Sequence, residues 1–387
     1  MKLVIYSKVL NHHQAYLADE LYGLTDSQFR FVELTSCRDM KGAATDFSRR
    51  PYIIQAWKSP EEYAEAMTLA RTAEVCVFSG YEALPFEKQR LALDKLSFDM
   101  GERMLKRGLL NLASPRIFRL FAAYHFNRWR HKPLYKLCCG DSAASDCRRL
   151  GMFINRCFRW GYFSRPVENP DATKVEKENP CAPTIKLMWC GRFIKWKHPE
   201  TAVEAVRILR DRGLAFHLDV YGDVPPDVPT GKVYDKEALQ RLIEKYGLGN
   251  AVTLNGFHDN VKILDAMKRH DVFLLTSDRN EGWGVVANEA LSAGCVLIAS
   301  AEAGCAPSLV EEGRNGFTFR ARDAVGLADR IGRLILNPAT MRQMQSDGLR
   351  MMKQWEPAAA AGRLIDLIDN IRDNAGCLPE QGPCSRI

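Results

Sequence analysis

Two glutamates eight residues apart, Glu281 and Glu289, flank a glycine pair in the stretch NEGWGVVANEAL, Asn280 to Leu291. Before it, DVFLLTS (Asp271 to Ser277) reads as a buried strand, and after it VVANEALSAG carries apolar residues at helical spacing until Gly294. The stretch is therefore a strand-to-helix turn. Gly282 and Gly284 let the backbone come close to a ligand, and the amides of Gly284, Val285 and Val286 would point out of the helix N-terminus, a setting that attracts a diphosphate. Glu281 in the loop and Glu289 in the second helical turn can accept hydrogen bonds from hydroxyls at the two ends of such a ligand. A diphosphate with a hydroxylated ring at each end is a nucleotide sugar. Either glutamate alone would be no more than a partner of the helix dipole or a solvated helix residue.

A second group gives the pair its meaning. In WCGRFIKWKHPETAVEAV, Gly191 and Arg192 close a strand, and Lys197 lies in the loop before the next helix, with Lys195 as a neighbouring alternative. Two fixed cations at the carboxyl end of a parallel strand can neutralise a diphosphate leaving group. A competing reading uses the same glycines: GWGVVA (Gly282 to Ala287) matches Gly-x-Gly-x-x-Ala, with Glu302 about twenty residues on, as in a nicotinamide-dependent oxidoreductase. Against it, DRNE intervenes after the strand where the dinucleotide turn is tight, and Glu281 and Glu289 have no task.

The elements that must position these residues alternate. KLVIYS, FRFVELT, YIIQAW, EVCVFSG and KLSFDM in the first half, and IKLMWCG, FHLDVYG, AVTLNGF, DVFLLTS and CVLIASA in the second, are strand-like runs separated by helical ones. That alternation implies α/β architecture with parallel sheets covered on both faces. RPVENPDATKVEKENPCAP, rich in proline and charge, separates two doubly wound, Rossmann-like domains facing a cleft. At 387 residues, 46% of them apolar, each domain can bury its own core.

The ordered set Gly191-Arg192 with Lys197, VYGD (Val220 to Asp223), VTLNGF (Val252 to Phe257), Glu281 with Glu289, and GRNGF (Gly313 to Phe317) resembles glycosyltransferase family 4, retaining enzymes of the GT-B fold, over Ile185 to about Phe319. The resemblance implies that Arg192 and Lys197 hold the donor phosphates, Glu289 binds the ribose, Glu281 touches the transferred sugar, Gly256 and Phe257 frame the base, and Gly191, Gly282, Trp283, Gly284, Val285 and Val286 complete the donor site. It implies an acceptor-binding domain over residues 1–165, a linker over 166–183, a nucleotide-sugar domain over 184–353, and over 354–387 a C-terminal helix, able to pack back on the first domain, with a loose tail. The first half matches in layout only. Where relatives place a histidine after the strand KLSFDM, this chain has Asp99, Glu102 and Arg103; Glu102 is the candidate near the acceptor hydroxyl, with His12 and His13 in the first strand-helix loop. No Asp-x-Asp occurs, in accord with a metal-independent reaction, and no cofactor is implied beyond the nucleotide sugar itself.

Charge adds a partner. The net charge is +7, and from Arg103 to Gly140 nine Lys or Arg stand without one acid, interleaved with Leu110, Ile117, Phe118, Phe121 and Trp129. This fits a basic amphipathic surface for an anionic membrane that presents a glycan or lipid-linked acceptor; the alternative is a solvated helix face packed as part of the domain. A non-enzyme reading, a lipid- or nucleic-acid-binding module with a degenerate transferase fold, rests on the same charge, although no nucleic-acid motif accompanies it. The N-terminal apolar run is too short for a signal peptide and no run reaches transmembrane length, so a cytoplasmic enzyme, peripheral at the inner membrane face, is expected. The twelve cysteines are scattered without metal-ligand spacing and read as reduced thiols.

Overall fold

The structure is a computed structural model that describes residues 1–36, 47, 49–167, 184–226, 228–373 and 378–387. Most of the linker expected over 166–183 lies outside the described residues. In chain order the elements are β1 (Leu3–Ser7), α1 (Ala15–Leu24), β2 (Arg30–Glu33), β3 (Ile53–Gln55), α2 (Pro60–Thr72), β4 (Val75–Ser79), α3 (Leu84–Leu91), β5 (Ser97–Gly101), β6 (Lys106–Leu109), α4 (Pro115–His125), β7 (Leu134–Cys139), α5 (Asp141–Arg149) and β8 (Cys157–Trp160). They continue as β9 (Ile185–Cys190), α6 (Pro199–Asp211), β10 (Phe216–Tyr221), α7 (Lys236–Lys245), β11 (Val252–Gly256), α8 (Asn260–Met267), β12 (Val272–Leu275), α9 (Val286–Ser292), β13 (Val296–Ser300), α10 (Ala306–Leu309), β14 (Gly316–Phe319), α11 (Ala324–Leu336), α12 (Pro338–Met352) and α13 (Pro357–Asp373). The chain forms two compact units, residues 1–165 with 354–387, and residues 166–353.

The second unit is built on a six-stranded sheet, order β11-β10-β9-β12-β13-β14, with every pairing parallel. Parallel strands buried on both faces need near-continuous apolar runs, and β12 and β13 are buried at every position. Pro199 starts α6, which lays Ala202, Val203, Ala205, Val206 and Leu209 onto the sheet; α11 adds Leu327, Ala328, Ile331 and Leu334 to the same core. The strand order reverses between β9 and β12. In doubly wound sheets the carboxyl ends flanking that switch point are where ligands bind.

The first unit has a seven-stranded parallel sheet, order β3-β2-β1-β4-β5-β7-β8, with its switch point between β1 and β4. Strands β7 and β8 were not expected from the sequence, because LYKLCC lies inside the basic run and CFRW is short. Lys136 of β7 is nonetheless buried, its Nζ 2.7 Å from Asp99 Oδ1 on β5. Trp129 is also interior, which removes it from the surface expected of the basic segment.

The C-terminal tail, expected to be loose, is docked in its last residues. Cys384 N donates to Arg159 O and Arg159 N to Ser385 O, both at 2.8 Å, and Ile387 N donates to Cys157 O at 3.1 Å. These bonds cover the open edge of β8, whose backbone groups would otherwise be unpaired. Helix α13 packs on α1 in the same unit. Among the described residues no helix is long and apolar enough to cross a membrane.

Candidate functional site

The loops after β9 and β12 leave neighbouring strands at the switch point and meet. Lys197 Nζ donates to Glu281 Oε2, which also accepts from Ser277 Oγ at 3.0 Å; the lysine and glutamate side chains retain 13% and 14% of their exposure. Residues 84 positions apart in sequence are thus held as one ion pair. Arg192 is exposed, and its side chain has no ion-pair or hydrogen-bond partner among the described residues. It remains available to an incoming anion.

Glu289 sits in the first turn of α9, one turn earlier than expected, because the helix begins at Val286. Its carboxyl is buried, accepts from Asn260 Nδ2 at 3.0 Å, and is pushed up to about 7 by burial, against the smaller opposing effect of that hydrogen bond. Gly284 adopts φ 97°, which only glycine takes without strain, and so turns the chain into α9. A Cβ on Gly222, in the VYGD run, would fall 1.9 Å from Gly191 O, so the loops after β9 and β10 can approach only because that position is glycine. Gly256, at the end of β11, accepts at its carbonyl from Gly222 N at 2.8 Å, and Phe257 after it is 77% exposed. Trp283 corrects the expectation: its side chain is 1% exposed and its indole N–H donates to Asn288 Oδ1 at 2.8 Å, so the ring is core that anchors the loop rather than a donor-facing group.

A network that sequence reasoning missed ties the two loops together. His198, at φ 48°, stands with Nδ1 2.8 Å from Glu200 Oε1 and Nε2 3.1 Å from Asp278 Oδ2, and Arg322 Nη2 donates to Asp278 Oδ2 at 3.3 Å. Burial alone would lower the histidine, but its hydrogen bonds to both carboxylates outweigh it and hold His198 above its ordinary value. Asp278 N donates to Trp196 O at 2.9 Å, and Asp278 O accepts from Glu281 N at 2.9 Å. The network therefore sets the loop of Lys197 against the loop of Glu281. The available signal was His198 itself, directly before the helix-starting Pro199 where an oxygen-bearing cap is usual.

The dinucleotide reading fails on the same geometry. Thr276 to Val285 separate β12 from α9, so the turn is not tight. Glu302 is turned to the loop: it accepts from Arg279 N at 3.2 Å and lies 3.6 Å from Arg279 Nε.

In the first unit the structure brings together three of the five acceptor-side candidates. His12 and His13 have ring centroids 3.6 Å apart, His13 lies 5.9 Å from the ring of Tyr162, and Tyr162 donates its hydroxyl to Glu102 Oε1 at 3.1 Å. Burial, reinforced by the neighbouring ring, pushes His13 down to about 3, and burial also lowers His12. Asp99 is instead paired with Lys136. Arg103 is not with the group: Nη2 donates to the buried carboxylate of Asp146 at 3.3 Å, which also accepts from Leu105 N at 2.7 Å, a structural lock on the chain after β5. Among the described residues no group of three or more His, Cys, Asp or Glu is placed to hold a metal ion.

Residues 173–351 match the model of the family described as glycosyl transferases group 1. This region of the chain is similar to the group 1 glycosyltransferases. Curated relatives of this region include the putative colanic acid biosynthesis glycosyltransferase WcaL of Escherichia coli K12, 27% identical over 206 residues, 52% of this chain and 43% of the relative. Another is the D-inositol 3-phosphate glycosyltransferase of Streptomyces avermitilis, 28% identical over 202 residues, 51% of this chain and 42% of the relative. The matched region spans less than half the length of these relatives. Among solved structures, Anabaena HepE in complex with UDP covers 94% of this chain and 98% of its own at TM-score 0.69 and 15% identity. Sucrose-phosphate synthase from Thermosynechococcus elongatus covers 96% and 99% at TM-score 0.69 and 17% identity. The fold is GT-B.

Proposed function

We propose that the protein transfers a hexose-type unit from a nucleoside diphosphate sugar to an acceptor hydroxyl with retention of anomeric configuration. The observation that carries this reading is the meeting of Lys197 and Glu281 at the carboxyl ends of β9 and β12, beside the unpaired Arg192. When the donor enters, its diphosphate competes for Lys197, and the cations of Arg192 and Lys197 neutralise the charge that develops on the leaving group. Glu281, released from the lysine, accepts from a hydroxyl of the transferred sugar. Glu289, held by Asn260, meets the ribose, and Gly256 with Phe257 borders the base. The acceptor hydroxyl attacks the face from which the diphosphate departs and passes its proton to a donor phosphate oxygen, so no protein nucleophile is required. Glu102, with His12, His13 and Tyr162, belongs to the acceptor side.

The acceptor class we favour is a growing glycan, in keeping with the description of WcaL as a putative colanic acid biosynthesis glycosyltransferase, and its attachment to a lipid is argued from the basic surface. Helix α4 supports a membrane-facing role for a cytoplasmic enzyme: Phe118 and the adjoining Leu109, Leu110 and Phe126 are 54% to 80% exposed among Arg107, Arg116, Arg119, Arg128 and Arg130. Such a face combines shallow apolar insertion with attraction to anionic headgroups. The test of the donor assignment is a thermal-shift titration with nucleoside diphosphate sugars, UDP-glucose first because HepE is seen with it. Stabilisation by a nucleotide sugar and none by NAD is expected; stabilisation by NAD alone would overturn the reading.

A further inference from the structure

The first unit contains a cavity of about 180 Å³ beside the carboxyl ends of β4 and β5. Its lining includes Glu87, Asp99 and Lys136. Lys136 is already neutralised by Asp99 at 2.7 Å, whereas Glu87 is 2% exposed and its Oε1 has no hydrogen-bond partner. An unpaired buried polar atom costs about 1 to 3 kcal/mol, so the Glu87 carboxyl, with one oxygen enclosed and unpaired, gains from a ligand hydroxyl that reaches it from the cavity. Burial, then the charge of Asp99, holds Glu87 well above the ordinary carboxylate range, which makes it a neutral acid able both to donate and to accept. Met104, Ile117 and Leu120 give the lining an apolar part. Arg116 stands at the rim, its guanidinium 5.7 Å above the ring of Tyr81.

Size and lining narrow the ligand. A cavity of roughly 150 Å³ holds a six-membered hydrocarbon ring, so this one has room for a single small ring. A hydrocarbon would leave Glu87 unsatisfied. An anion would meet two carboxyls and a lysine already paired. A neutral ring that carries both hydroxyls and C–H groups satisfies both the polar and the apolar lining. We propose that this cavity binds one neutral monosaccharide ring, the terminal sugar of the acceptor, with Glu87 hydrogen-bonding a ring hydroxyl and Ile117 and Leu120 covering its apolar face. This assignment rests on the sugar-transfer function proposed above and adds the class of acceptor end group. Glu102 lines the same cavity and accepts from Tyr162, so a ring bound there reaches the residues grouped around His13.

The experiment is saturation-transfer NMR on the full chain without donor, using the methyl glycosides of glucose, galactose, fucose and N-acetylglucosamine, with glucosamine as an amine-bearing control. At least one neutral glycoside should bind with an affinity on the order of 1 mM. Leu120→Trp, which fills the cavity from a half-buried helix position, should weaken that binding at least about tenfold, as should Glu87→Leu, while Glu87→Gln, which keeps a donor and an acceptor, should retain it. Thermal melts of each variant establish that it is folded. Silence from every neutral glycoside, binding by glucosamine alone, or undiminished binding in folded Leu120→Trp overturns the proposal. A parallel titration with nucleoside diphosphate separates the two claims: if the nucleotide binds and the glycosides do not, only the cavity assignment falls, and if the nucleotide does not bind, the donor reading falls with it.

Discussion

Replacing Lys197 by Met removes the cation that holds Glu281 and, on the mechanism above, one of the two that meet the diphosphate. Two unit charges about 4 Å apart interact by about 4 kcal/mol at an effective dielectric of about 20, and because both side chains are mostly buried their desolvation offsets a good part of it. A net coupling of about 1 to 3 kcal/mol is expected. Lys197→Met alone leaves Glu281 with Ser277 as its named remaining partner and should destabilise the protein by about 3 kcal/mol. Glu281→Gln should cost less, since the lysine can turn toward solvent, and the double variant should be no less stable than Lys197→Met. The assay is urea unfolding of the wild type, both single variants and the double, with kcat/KM for donor consumption measured on the same samples. Loss of one preorganised electrostatic partner predicts a fall of about 2 to 4 kcal/mol in transition-state stabilisation for Lys197→Met, roughly 30- to 1000-fold. If the stability effects add within about 0.5 kcal/mol, the pair is not coupled and the argument from its geometry is wrong.

Three further outcomes follow from the same site and surface. Glu289 has its pKa raised in the folded state, so its contribution to stability is full below the unfolded carboxyl value and is lost as pH rises through about 7; the advantage of Glu289→Gln over wild type should therefore grow from pH 5 to pH 8 by about 2 to 3 kcal/mol, and parallel unfolding curves would show the carboxyl is not strained. Transfer should proceed at an unchanged rate in EDTA, because Arg192 and Lys197 supply the charge a cation would otherwise bring, whereas full loss restored by Mg or Mn would refute that assignment. Co-sedimentation with anionic vesicles should fall steeply with salt and with Arg→Glu at 116, 119, 128 and 130, and a protein that stays in the supernatant at low salt would end the membrane role of α4.

The second unit was legible because its strands are unbroken apolar runs and its chemistry lies in loops directly after them. Lys197 and Glu281 could be assigned to one site from sequence because both follow strands of a doubly wound domain, whereas their ion pair is seen only in the structure. The first unit was harder to read. The run from Arg103 to Gly140 looks like one basic surface, yet its end is β7, where Lys136 is tolerated in the core only through Asp99, a partner 37 residues away. Trp283 looked like part of a donor site because it sits between two functional glycines; its burial is decided by Asn288 on the following helix. Residues such as His198 and Glu87 leave no spacing pattern. Their roles come from tertiary neighbours.

The central claim is tested most directly by incubating the enzyme with a panel of nucleoside diphosphate sugars and glycan acceptors, and reading the anomeric configuration of the new linkage by NMR. The account predicts one donor consumed, with release of its nucleoside diphosphate, and a product with the donor's configuration, formed by wild type and lost in Lys197→Met. A product of inverted configuration, or undiminished transfer by Lys197→Met, would contradict it.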